Sequence, residues 1–177
     1  MALSYEEKRN KDAQLVRRMA AKLKHDIESL DAQRRQTPPK TFLQYCTIRN
    51  FHNEIQGLIS TIEDRFPPVA DLLPEHIADW LIRAKLKAIT SFVQISREFV
   101  REPPVTLKGS LTARDVLSME HANFIEAREF FNKVLLEQAL DDKTADELDR
   151  TLTTIEETLA ILADLLDHSV NYLEEFG

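Results

Sequence analysis

The chain has 177 residues, of which 43% are hydrophobic and 30% charged, and a formal net charge of −7 at pH 7. That length suits one domain, which at this size buries roughly 70% of the surface its unfolded chain exposes and needs no metal or disulfide to do so. A single cysteine, Cys46, excludes an intrachain disulfide and a thiolate zinc cluster. Charges throughout the first thirty residues exclude a secretory core, and apolar runs of about five residues fall far short of a membrane span, so a cytoplasmic protein is expected.

Three proline pairs, at 38–39, 67–68 and 103–104, hold six of the seven prolines and divide a glycine-poor sequence. Proline removes a helical hydrogen bond and pushes the residue before it out of the helical region, so each pair marks a helix boundary. The fold class that follows is all-α: a single-domain bundle over 1–177 of about five long helices, mostly antiparallel, separated by Pro-Pro turns.

The first predicted helix covers residues 5–35. Val16, Ala20, Leu23, Ile27 and Leu30 recur at steps of four and three and form a core-facing stripe. Lys8, Lys11, Arg18 and Lys22, with His25 and an interleaved Leu15, share the opposite side within about 100° of arc. A second helix is expected over 41–66, with Ile48, Phe51, Ile55, Leu58, Ile59, Ile62 and Phe66 inward and Gly57 weakening it slightly. The third, over 73–100, takes Pro74 in its first turn, where the missing donor costs nothing. Its stripe is Ile77, Leu81, Ala84, Ala88, Phe92, Ile95 and Phe99. Trp80, at helical spacing from Ile77 and Ala84, fits either that core or an outward anchor for a partner.

The longest connection, 101–111, precedes a fourth helix over 112–140 whose apparent stripe is Leu117, His121, Phe124, Arg128, Phe131 and Leu135. Thr144 and Glu147 have the spacing of a capping box for a fifth helix over 144–175. Leu148, Leu152, Ile155, Leu159, Leu162, Leu166, Leu173 and Phe176 continue for about four heptads, with Ser169 in the polar slot, which predicts close helix packing. Charge divides along the chain: residues 1–101 hold 17 basic and 13 acidic residues, and residues 102–177 hold 6 and 17, so the two stretches carry +4 and −11. Such a split serves subunit pairing or the docking of a charged partner, although solvated helix faces produce it as well.

Catalytic constellations are scarce. A carboxylate-bridged di-metal bundle needs Glu-x-x-His on two helices, and the residues three before the five histidines are Lys22, Arg49, Leu73, Ser118 and Leu165. Phosphate-binding loops need clustered glycines, and Gly57, Gly109 and Gly177 stand far apart. No metal, cofactor or nucleotide is expected, and Cys46 beside Tyr45 reads as a core residue. Arg114, followed by six residues and then His121, resembles the Arg-x(4–6)-His motif of HEPN-type ribonucleases, a family of all-helical domains. That resemblance implies a dimer joining two motifs, with Arg114 binding phosphate and His121 assisting attack by a 2′-hydroxyl. Arg18 and His25 share the same spacing within an amphipathic helix. The basic stripe Lys8, Lys11, Arg18 and Lys22 is the other candidate, for nucleic acid or for an acidic protein face. It has no interleaved aromatic residue to stack a base, so a solvated face or an intersubunit charge match with the acidic fifth helix is favoured over nucleic acid. Membrane binding does not fit the acidic remainder. The expected function is a non-catalytic protein–protein interaction or assembly subunit, self-associating; the alternatives are a HEPN-like ribonuclease and a small helical subunit of a nucleic-acid effector complex.

Overall fold

The structure, a computed structural model, describes residues 4–104, 107, 111–138 and 140–174, with side chains through residue 167 apart from that of residue 111. The described chain is all-α. Five long helices, α1 (Tyr5–Arg34), α2 (Phe42–Arg65), α3 (Ile77–Arg101), α4 (Leu111–Glu137) and α5 (Asp142–Glu174), are joined by one short 3-10 segment, Pro67–Leu72. Pro38 and Pro39 lie between α1 and α2, Pro67 and Pro68 open the 3-10 segment, and Pro103 and Pro104 follow α3.

Helix ends are set by local chemistry. Ser4 and Glu7 form a reciprocal capping box at the start of α1: the Glu7 amide donates to Ser4 Oγ at 3.2 Å and the Ser4 amide to Glu7 Oε2 at 2.7 Å. Thr41 and Gln44 do the same for α2, at 3.2 Å in each direction. At α5 the cap is Asp141, not the expected Thr144–Glu147 pair, because Asp141 accepts from both the amide (2.9 Å) and the hydroxyl (2.8 Å) of Thr144. The third helix starts at Ile77 instead of residue 73: Pro74 stands in the preceding turn, its carbonyl accepting from the Ile77 amide at 3.0 Å.

Residues cluster into two compact units. The first comprises Met1–Gln36 and Ile48–Ser91, the second Thr37–Thr47 and Phe92–Gly177, so α2 and α3 each contribute to both. In the first unit α1 packs against the 3-10 segment. Ala13, Val16, Leu23, Ile27 and Leu30 are buried from α1, Ile55, Ile59 and Ile62 from α2, and Val69 from the 3-10 segment. Prolines 67 and 68 have no N–H, and the carbonyls of this segment are answered from outside it. Arg9 Nε donates to the Pro68 carbonyl at 3.3 Å, Arg9 also pairs with Asp71, and Arg17 donates to the Leu72 carbonyl.

In the second unit α4 packs on α5. The buried seam of α4 is Ala113, Leu117, Glu120, Phe124, Ala127, Phe131 and Val134, a strict alternation of four and three. The seam of α5 includes Leu148, Ile155, Leu159 and Leu162, with Thr151 and Thr158 among them. Each of these threonines donates its hydroxyl to the carbonyl four residues earlier, Glu147 at 2.9 Å and Thr154 at 2.7 Å, which satisfies a buried hydroxyl within its own helix. Leu173, Phe176 and Ser169 of the expected stripe lie outside the described side chains. An aromatic cluster fills the rest: Tyr45 stacks on Phe99 at 4.3 Å between centroids and flanks Phe92, which meets Phe124.

Candidate functional site

Arg114 and His121 both lie on α4, two turns apart, about 10.5 Å along the axis and nearly in one line. Both are half-buried, and no hydrogen bond joins them among the described residues. The apparent stripe through His121 and Arg128 is not the buried one. Leu117, Phe124 and Phe131 belong to both readings, but the helix turns Glu120 and Ala127 inward and leaves His121 and Arg128 on the flank. Ala113 and Ala127 are buried on that side, and a count of bulky apolar residues passes over such small ones. Glu120, 1% exposed, is a core carboxylate that the sequence did not single out.

The basic side of α1 is an exposed surface. Lys8, Lys11, Leu15, Arg18 and Lys22 are all exposed. Lys22 pairs with Asp26 one turn on, whereas Lys8, Lys11 and Arg18 make no ion pair among the described residues. The opposite charge is displayed on α5, where Asp142, Asp146, Asp149, Glu156 and Asp167 are exposed along one line. Trp80 is half-buried on α3. Among the described residues no group of three or more His, Cys, Asp or Glu is arranged to hold a metal ion, and no helix is long and apolar enough to cross a membrane.

Two polar sites, one buried and one half-buried, shape the electrostatics of the first unit. Asp31 is 8% exposed, and Arg34 Nε (2.9 Å) and Arg35 (2.6 Å) from its own helix donate to its carboxylate. Burial pushes its carboxyl upward, but the hydrogen bonds and charges of Arg34 and Arg35 outweigh burial and hold it below the usual carboxylate range. The signal was present in the sequence, since Asp31 precedes arginines at three and four residues, the reach of a helical ion pair. His52 lies on α2 with Gln56 Nε2 3.1 Å from its Nε2. Burial first, and then the Arg49 charge, push its imidazole down to about 3, so it stays neutral at physiological pH. In the second unit Arg97 of α3 reaches Glu157 of α5 at 2.6 Å.

No protein-family model matches this chain, and no curated protein or solved structure matches it at a significant level.

Proposed function

We propose that the chain is a non-catalytic helical assembly subunit that works by binding other proteins, copies of itself included. The observation that supports this best is the outward face of α1, where Lys8, Lys11 and Arg18 stand exposed beside Leu15 with no ionic partner among the described residues. Exposed Leu43 (77%) and Leu136 (86%) add apolar area that a partner can cover. In this reading the protein is cytoplasmic and oligomeric, consecutive helices run mostly antiparallel with the Pro-Pro pairs as turns, and no cofactor takes part. Sedimentation velocity over a wide concentration range, with native mass spectrometry of the tagged chain drawn from its own cells, tests it. A discrete assembly is expected; a bare monomer in both measurements refutes the proposal.

A HEPN-like ribonuclease is the second reading, favoured by the alignment of half-exposed Arg114 and His121 along one flank of α4. It requires His121→Ala to abolish RNA cleavage while leaving the melting curve unchanged. A nucleic-acid effector subunit is the third, favoured by the exposed stripe of Lys8, Lys11, Arg18 and Lys22. It requires RNA or DNA binding that falls steeply with salt and with Lys11→Glu or Arg18→Glu.

A further inference from the structure

The exposed ridges of α1 and α5 advance by the same steps. Residues 8, 11, 15, 18 and 22 and residues 146, 149, 153, 156 and 160 each follow three, four, three, four, and every one of them is exposed. On a helix of 3.6 residues per turn these positions fall within about 80° of arc, so each set is a single ridge about 21 Å long. Laid side by side in the same direction, the ridges bring Lys8 to Asp146, Lys11 to Asp149 and Arg18 to Glu156. Leu15 comes to Thr153, whose hydroxyl is turned back to the Asp149 carbonyl at 3.1 Å, leaving its methyl group for contact. Lys22, already paired with Asp26 on its own helix, comes to the neutral Ala160. The one basic position with an internal partner is thus the one that meets no carboxylate.

Neighbouring opposite charges do not spoil either ridge. Glu7 is held by the Ser4 amide at the helix start, and Asp12 lies about 80° of arc from the midline of the basic ridge. On α5, Lys143 and Arg150 lie about 100° and 80° of arc from the midline of the acidic ridge, with Arg150 Nε donating to the Asp146 carbonyl at 3.1 Å.

We infer that the Lys8–Lys22 ridge of α1 in one copy docks along the Asp146–Ala160 ridge of α5 in a second copy of this chain. The inference rests on the proposed self-association and names its surface. A second copy is the occupant because the same chain carries both ridges, equal in step and opposite in charge. Every copy both offers and accepts the contact; closure makes it twice in a dimer, and open growth gives a filament. Exposed ion pairs are individually weak and are screened within roughly 10 Å at moderate ionic strength, so this association is weak and salt-sensitive.

The test is sedimentation velocity of the full-length protein and of Lys11→Glu and Asp149→Lys variants, alone and mixed, at low and high salt, with circular dichroism melts to verify folding. Each single reversal is expected to weaken self-association by roughly three- to tenfold. Mixing K11E copies with D149K copies is expected to recover most of the loss, because the reversed partners attract each other across the contact. Self-association that persists in both variants, or that the mixture does not recover, overturns this surface while leaving self-association standing. A parent protein that stays monomeric at every concentration removes the surface and the underlying reading together.

Discussion

Tyr45→Phe should destabilise the second unit by about 1–2 kcal/mol, and the size of the effect follows from the site. Tyr45 and Ser96 are both 0% exposed, their hydroxyl oxygens 3.1 Å apart, and the Tyr45 ring lies flat against Phe99 with 5° between planes. The substitution keeps the ring and its stacking and removes one oxygen. The lost hydrogen bond is worth about 1 kcal/mol net, and a hydroxyl stranded in a dry site adds about 1–3 kcal/mol more. The upper figure is not reached here, because a helical serine can turn its hydroxyl to the carbonyl one turn back. Ser96→Ala strands the tyrosine hydroxyl instead and regains about 0.5 kcal/mol of helix propensity, so it should cost less. The double variant leaves two apolar surfaces with nothing stranded, and its cost should fall short of the sum of the singles by about 1 kcal/mol. Tyr45→Ala, which also empties the stack, should cost about 4 kcal/mol. Urea denaturation of the parent and the four variants gives these numbers directly. Additive single costs, or a Tyr45→Phe variant as stable as the parent, would refute the buried hydrogen bond as a stabilising contact.

Acid should weaken the first unit through His52. The folded-state imidazole is depressed to about 3 while an unfolded histidine titrates near 6.5, so the unfolded chain takes up the proton first. The contribution is complete above about pH 6.5 and is lost as pH falls toward 3; between pH 7 and pH 5 it amounts to at most about 2 kcal/mol, since water reaching the half-buried ring moderates the penalty. Urea midpoints at the two pH values should differ less in His52→Gln than in the parent, and an equal shift in both would count against the assignment. Gly57→Ala should stabilise α2 by up to about 1 kcal/mol, because a methyl group there meets nothing within 4 Å and a helical glycine wastes backbone entropy. A lowered melting temperature in that variant would show that the site is not open.

The helices were legible because their cues are local. Apolar residues at steps of three and four, broken by prolines and almost no glycine, place α1 and α2 to within a residue of the observed ends, and all seven residues of the α3 stripe are buried. The misplaced starts have local causes of their own: at α5 Asp141 takes the cap from Thr144, and at α3 Pro74 stands in a turn before the helix and not in its first turn. The 3-10 segment went unread because proline pairs signal only that an α-helix stops. Its short turn depends on Arg9 and Arg17 reaching it from α1, a contact spanning more than fifty residues.

Candidate site residues fared according to how far their environment is local. The basic stripe of α1 and its exposure follow from position on an amphipathic helix, and Asp31 with Arg34 and Arg35 is a pairing within one turn. Glu120 and His121 are adjacent in sequence, and only packing decides which of them enters the core. A helix carrying Leu117, Phe124 and Phe131 can roll by a fraction of a turn either way, and its final rotation is decided by the packing that buries Ala113 and Ala127 along with them. Sequence by itself determined the helical class, the helix lengths and the sign of charge on each outward face, since propensity, periodicity and proline act over a few residues. Only the tertiary structure decided the rotation of α4, the burial of Glu120, the stacked Tyr45 with its bond to Ser96 and the depressed imidazole of His52. Each of those depends on what neighbouring elements exclude from water, and burial of that kind is not encoded in any single helix.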